Sequence, residues 1–342
     1  MRTFLGLKHR SLAPATAVAI GNFDGVHLGH QAMLALLNEQ ARQRRLASCV
    51  LTFEPHPRDY FAKVLGKPEI APARVGTVRD KLTDLAAQQV AQTVILPFNA
   101  ALAAQSPEDF VRQVLVQGLG ARYVLVGDDF RFGHQRAGDY ALLAKLGPQL
   151  GFEVARMDSH TVQGVRVSSS EVRQALQQGR LHDAAELLGR PYAISGHVLH
   201  GRKLGRRLGA GLPGIAGGFR TLNLHFKHWK PAASGIFVVQ VRGLTPQPLP
   251  GVANLGVRPS LEPGDVNGGR VLLETHCLQW PEALGPEGGY GKVIRVELLE
   301  KLHDERKYPS LQALAQGIAQ DCAAARAWFA QRAAGALCPD TC

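Results

Sequence analysis

His27 and His30 stand on either side of Gly29, directly after the run Gly21-Asn22-Phe23-Asp24-Gly25-Val26. Imidazoles can donate hydrogen bonds and follow a change in charge, and a glycine between them lets an anion come close to the backbone. That pattern suits a polyphosphate whose charge shifts during reaction, and it points to nucleotidyl transfer. Residues 16–20 read as a buried strand, and Gln31 to about Arg44 as an amphipathic helix. A strand, a glycine-rich turn and a helix N-terminus together form an anion site, because unpaired N–H groups and the helix dipole converge there. The plain alternative makes both histidines loop residues that cap the helix or bind nothing. A zinc reading is weaker, since no cysteine lies at metal-ligand spacing nearby.

The elements around this loop repeat in one style over the first half. Candidate strands are 16–21, Ser48–Phe53, Thr93–Pro97, Tyr123–Gly127 and Phe152–Met157, with helical patterns at 31–44, 78–89, 107–117 and 139–149. Ser106-Pro107-Glu108-Asp109 is a strong helix start: a capping serine, proline at the first position and acids in the first turn. The alternation predicts an α/β domain with a parallel sheet covered on both faces, its ligands beyond the carboxyl ends of the strands. After about residue 190 the pattern changes to short apolar runs at 192–200, 234–242, 251–257, 271–279 and 292–300, separated by Gly/Pro loops. These predict a mainly β half, an antiparallel barrel or sandwich, closed by a helix from Ser310 to about Ala330.

The chain has 342 residues, 45% of them hydrophobic, enough for two domains with real cores. A formal net charge of +11 favours anionic partners, and the basic residues are spread out rather than gathered in a tail. Five cysteines without a C-x-x-C pair imply reduced thiols and a cytoplasmic location. Residues 1–10 lack the apolar stretch of a signal peptide, and no run approaches the eighteen apolar residues of a membrane span.

Three more segments follow the first loop in order: Thr52-Phe53-Glu54-Pro55-His56-Pro57-Arg58, Gly127-Asp128-Asp129-Phe130-Arg131-Phe132-Gly133, and Ser168-Ser169-Ser170-Glu171-Val172-Arg173. Taken singly they are a proline turn, a glycine-bounded loop and a capped helix. Taken together, with Leu96-Pro97-Phe98 and Ser106-Pro107-Glu108-Asp109-Phe110, they resemble the adenylyltransferase module of bifunctional bacterial riboflavin kinase/FAD synthetases. The second half is similar to the riboflavin kinase module through Gly196–Gly209, Val252–Ser260, Leu272-Leu273-Glu274-Thr275-His276 and Tyr290-Gly291. The match covers about 15–330, and it implies a Rossmann-like adenylyltransferase domain over 1–187, a riboflavin kinase barrel over 188–335 and a flexible tail at 336–342.

The resemblance implies phosphorylation of riboflavin by ATP to FMN, then adenylylation of FMN to FAD, with Mg²⁺ at both sites. It makes His27 and His30 catalytic in the first half, with ATP held by Gly21, Asn22, Phe23, Asp24, Gly25, Gly29, Ser169, Ser170 and Arg173. In the second half it makes Glu274 the base, Thr221 and Asn223 the metal ligands, and Gly201, Lys203, Gly205 and Arg206 the nucleotide loop. Flavin contacts fall on Pro55, His56, Pro57, Arg58 and Asp129, and on Arg258 and His303. Expected partners are small molecules, with no nucleic acid or membrane, in a monomer or weak homo-oligomer.

Two departures stand out. Nine extra residues, 210–218, separate Leu208-Gly209 from Phe219-Arg220-Thr221-Leu222-Asn223, with Arg220 where the family has proline and Leu222 where it has alanine. His303 stands where the family commonly has arginine. The insertion supports one alternative, an FAD synthetase whose kinase half has lapsed. A basic nucleic-acid-binding flavin sensor is the other, and it lacks a helix-turn-helix or stacking signature.

Overall fold

The computed structural model describes residues 1–162, 164–200, 219–226, 230–257, 271–285 and 287–336. By compactness the chain forms two units, Met1–Pro72 with Lys81–Ser169, and Ala73–Asp80 with Ser170–Cys342.

The first unit is built on a six-stranded parallel sheet. Its strands are β1 (Arg2–Leu5), β2 (Thr16–Ile20), β3 (Ala47–Glu54), β4 (Gln92–Pro97), β5 (Ala121–Gly127) and β6 (Glu153–Met157), in the order β1-β4-β3-β2-β5-β6. Both faces of its central strands are buried, so neighbours along such a strand serve opposite cores. Ala17 and Ala19 pack under Met33, Leu34, Leu37 and Ala41 of helix α1 (Leu28–Gln43), whereas Val18 and Ile20 meet Phe110, Val111, Val114 and Leu115 on the other face. Those last residues belong to a π-helical run, Phe110–Gly118, that continues the helical turn Pro107–Asp109 capped by Ser106. Strand β1 has no counterpart in the sequence reading, because four residues with one buried side chain carry too little periodicity.

In this order β2 has β3 on one side and β5 on the other, so the chain reverses its winding direction at β2. Such a switch point opens a crevice at the strands' carboxyl ends, where the loop 21–27 begins. Helix α2 (Pro57–Val64) follows β3, α3 (Val78–Ala87) precedes β4, α4 (Ala100–Ala104) and the turn α5 (Pro107–Asp109) lie between β4 and β5, and α6 (Tyr140–Leu150) lies between β5 and β6. The Lys81 ammonium, 2% exposed, lies 2.7 Å from the Glu54 carboxylate at the end of β3. A buried cation is tolerable only beside an anion, and removing one partner of such a pair typically costs about 3–5 kcal/mol. Lys81→Met is therefore expected to lower the melting temperature of the protein markedly; an unchanged melting curve would show that this pair contributes nothing to the fold.

The second unit is a barrel, which decides between the two β architectures the sequence allowed. Its strands β9 (Tyr192–His197), β10 (Thr221–Phe226), β11 (Gly235–Arg242), β12 (Leu249–Val257), β13 (Val271–Cys277) and β14 (Val293–His303) pair antiparallel in the order β10-β13-β12-β11-β14-β9. A bridge between Leu199 and Asn223, with the Leu199 N–H 2.9 Å from the Asn223 carbonyl, joins the two outer strands. Leu224, Phe237, Val239, Leu255, Leu273 and Val296 are buried. Helix α9 (Leu311–Ala336) lies on the outer surface, where Ala315, Cys322 and Ala325 cover Val238 and Val252. Helices α7 (Ser169–Gln177) and α8 (Leu181–Leu188) precede the barrel. The segment Ala73–Asp80 also belongs to this unit: the Arg74 N–H donates to the Lys230 carbonyl at 2.7 Å. Among the described residues no helix is long and apolar enough to cross a membrane.

Candidate functional sites

The first site is assembled on the loop between β2 and α1. Phe23, Gly25 and Val26 have φ of 47°, 87° and 41°, and the two non-glycine side chains are fully buried. Burial holds those residues in a backbone region they would otherwise avoid. Neighbouring elements grip the loop's carbonyls: Thr52 Oγ1 donates to Asn22 O at 3.2 Å, and Ser169 Oγ donates to Asp24 O at 2.8 Å. Ser169 is the first residue of α7, and Arg173 stands one turn further along that helix.

His27 caps α1 by accepting the His30 N–H on Nδ1 at 3.3 Å. In the neutral ring the proton is then on Nε2, which makes that edge a donor. The His27 and His30 rings stack at 3.7 Å, only 19° from parallel, and Phe23 lies 5.0 Å from His30. A Cβ at Gly29 would crowd this stack, 3.2 Å from His27 Nδ1 and 3.4 Å from the Val167 carbonyl. The capping reading and the chemical reading of these histidines are thus compatible: one ring edge caps while the other remains a donor.

His56, after β3, is buried and caps α2 by accepting the Arg58 N–H at 3.1 Å, with Pro57 in the first helical turn. Pro55, Arg58 and Ser170 are exposed. Asp129 is 80% exposed and lies 3.3 Å from Arg166, which also reaches Asp128 at 3.1 Å. The Ser159 hydroxyl, with help from Arg166, holds the Asp128 carboxyl below the usual carboxylate range. Arg166 was not anticipated from sequence. It sits on a hairpin of two-residue strands, β7 (Thr161–Val162) and β8 (Val165–Arg166), too short to show any periodicity.

The second site is a row of polar side chains across the outer face of the barrel. Register aligns Asn223 on β10 with Glu274 on β13, and Glu274 with Asn254 on β12. Directly opposed residues share a face, so the row is a consequence of strand pairing. Asn223 is buried, and its NH₂ donates to Thr221 O at 3.3 Å and to Thr221 Oγ1 at 3.4 Å. The amide carbonyl of Asn223 is thereby set as a hard oxygen donor close to a hydroxyl. The row continues through Ile236 to His303, whose Nε2 lies 2.8 Å from Asp321 Oδ1 on α9 and Nδ1 2.7 Å from the Asp304 carbonyl.

Glu305, His276 and Asn254 complete this face and were not among the expected site residues. Burial raises the Glu305 carboxyl above its ordinary range and the charge of Glu274 adds to the rise, while a hydrogen bond from Asn254 opposes it. The Glu305 carboxylate lies against Gly256. Burial likewise pushes His276 down, against the effect of its contact with the Arg220 carbonyl. All three follow from register and from the close of β14, which local sequence does not encode. Gly201, Lys203, Gly205, Arg206, Arg258 and the insertion 210–218 lie outside the described residues.

Thr221 and Asn223 offer neutral oxygen donors, and among the described residues no three His, Cys, Asp or Glu side chains gather to hold a metal. Two neutral oxygens suit Mg²⁺, which binds through few protein ligands and completes its shell with phosphate and water.

Comparison with known proteins matches each half to one family. The FAD synthetase model matches residues 9–171, and the riboflavin kinase model matches residues 188–329. The bifunctional riboflavin kinase/FMN adenylyltransferase of Escherichia coli K12 is 40% identical over 331 residues, covering 96% of this chain and 98% of that protein. Its counterpart from Pseudomonas fluorescens is 41% identical over 314 residues, covering 92% and 93%. A crystal structure described as a macrolide-efflux protein from Streptococcus pneumoniae superposes with a TM-score of 0.71 at 23% identity, over 95% of this chain and 99% of that one. At that identity the likeness concerns the fold alone. The two family models on this chain, with 40% identity over nearly its whole length to a protein named for both activities, place it in the bifunctional riboflavin kinase/FMN adenylyltransferase family.

Proposed function

We infer that this enzyme of flavin biosynthesis makes FAD from riboflavin in two ATP-dependent steps at the two sites described. The observation that carries the reading is their coexistence: a stacked histidine pair at a helix N-terminus on a sheet switch point, and an Asn–Glu–Asn row on a barrel. We propose domain limits of 1–187 for the adenylyltransferase and 188–335 for the kinase, with a tail at 336–342.

In the kinase, the ribityl hydroxyl of riboflavin attacks the γ-phosphorus of ATP and ADP leaves. Glu274 takes the hydroxyl proton, since an alcohol is a poor nucleophile without a base in reach. Thr221 and Asn223 hold Mg²⁺, which when bound neutralises charge on the transferring phosphate. Gly201, Lys203, Gly205 and Arg206 cradle the nucleotide, and Arg258 and His303 face the flavin. In the adenylyltransferase, a phosphate oxygen of FMN attacks the α-phosphorus of a second ATP, forming the new P–O bond as pyrophosphate leaves. No strong base is needed for a nucleophile that is already anionic. His27 Nε2–H and His30 donate to the α-phosphate and leaving group, Arg173 adds fixed charge, and the loop from Gly21 to Gly25 with Gly29, Ser169 and Ser170 seats the triphosphate. Pro55 to Arg58 and Asp129 border the flavin.

Retention of Thr221 and Asn223 on β10, with Asn223 aligned to Glu274 on β13, favours a working kinase over a lapsed one. Chromatography of flavins after incubation with riboflavin, ATP and Mg²⁺, beside a reaction started from FMN, tests this directly. FMN followed by FAD is expected; FAD from FMN with riboflavin untouched would establish the lapsed kinase instead. We also propose a cytoplasmic protein, monomeric or weakly self-associating, without a nucleic-acid partner. A gel shift at physiological salt checks the last point.

A further inference from the structure

Just before β10, two residues are held by groups outside their own segment. Phe219 is 1% exposed and packs among Val238, Val252, Ala315, Cys322 and Ala325, between the barrel wall and α9. The next residue, Arg220, presents its carbonyl to His276 Nδ1 at 2.9 Å. A carbonyl only accepts, so Nδ1 carries the proton and donates. The imidazole also meets the Phe219 ring edge-on, at 5.4 Å and 84°. His276 is the register partner of Thr221, and Glu274, two residues away on the same strand, is the partner of Asn223.

The placement has a consequence particular to this sequence. By the resemblance, residues 210–218, which end immediately before Phe219, are additional, and Arg220 stands where the family has proline. A proline would restrict the backbone at that point by its ring, and arginine does not. Some other constraint must set where β10 begins.

We propose that His276 and Phe219 form a clamp that fixes the Phe219–Thr221 backbone, so that His276 is a positioning residue for the phosphoryl transfer. The clamp holds Thr221 opposite His276 and Asn223 opposite Glu274 whatever the length of the preceding loop, and so makes the insertion harmless to the chemistry. Phe219 supplies the apolar anchor and His276 the directional one. His276 acts through the Arg220 carbonyl.

The proposal rests on the kinase reading above, and its test separates the two. In the full-length wild type, conversion of riboflavin to FMN establishes that reading, and its absence would refute it independently of His276. Given an active wild type, His276→Leu is expected to lower kcat/KM for riboflavin phosphorylation about 10- to 100-fold, the range for residues that orient a metal ligand. The loss should be accompanied by a raised Mg²⁺ requirement, while FAD formation from supplied FMN stays unchanged. His276→Asn, whose NH₂ can stand in for Nδ1–H, should recover most of the loss. In metal-free protein, hydrogen exchange at the amides of Arg220 to Asn223 should speed up in the leucine variant and not in the asparagine variant. Deleting 210–218 should leave riboflavin phosphorylation unchanged in the wild-type background. Unchanged kinetics and exchange in His276→Leu would overturn the clamp, and so would equal losses in the leucine and asparagine variants. A deletion as damaging as His276→Leu would place control of Thr221 in the insertion instead.

Discussion

Replacing His27 and His30 together by alanine is expected to abolish FAD formation while riboflavin is still converted to FMN. The two rings stack at 3.7 Å at the N-terminus of α1, and the capping bond to His27 Nδ1 leaves Nε2–H as a donor. The adenylyl step brings two polyanions together, so its barrier is set by how well charge on the α-phosphate and pyrophosphate is met. Losing one preorganised donor of this kind costs on the order of 3–4 kcal/mol, or about 10²- to 10³-fold in rate. His27 also caps a helix, and loss of a cap costs about 1 kcal/mol of stability. His27→Asn separates the effects, because asparagine is a good cap: the melting temperature should return and the rate should not. Loss of both activities in a still-folded double variant would sink the assignment of two separate sites.

The converse result is expected for Glu274→Gln. Glutamine keeps the shape and the place opposite Asn223 and Asn254 but cannot take a proton. Removing a positioned general base typically costs about 10²- to 10⁴-fold, so FMN formation should fall by that factor while FAD formation from FMN persists. A second consequence is electrostatic. The charge of Glu274 helps raise the Glu305 carboxyl, so in the glutamine variant that carboxyl should titrate at lower pH. Following the Glu305 carbon resonance through a titration would show it; a static value would mean that the two carboxylates do not sense each other.

What could be read along the chain was whatever is encoded over a few residues. Alternation of β2, β3, β4, β5 and β6 with helices predicted the parallel sheet, and Ser106-Pro107 marked a helix start that the structure places there. The polar residues His27, His30, Thr221, Asn223 and Glu274 were legible as types at characteristic spacings. Strand β10 carries a period-two signal, Leu222, Leu224 and Phe226 against Thr221, Asn223 and His225, but its six residues are too few to stand out beside the polar pair.

Other features existed only after folding. That the β half closes into a barrel depends on Leu199 meeting Asn223, residues joined by pairing and not by proximity in the chain. The stacking of His27 on His30 depends on a buried, positive-φ turn held by Thr52 and Ser169. Asn254, His276 and Glu305 join the second site through register and through the return of the chain after β14. Sequence by itself determined the class of each domain, its family and the kinds of side chain available for chemistry, because periodicity and motif spacing are local properties. Tertiary structure decided which of those side chains share a face and which carbonyl each one grips. Strand register and loop anchoring are set by contacts between residues far apart in the chain, and no local pattern records them.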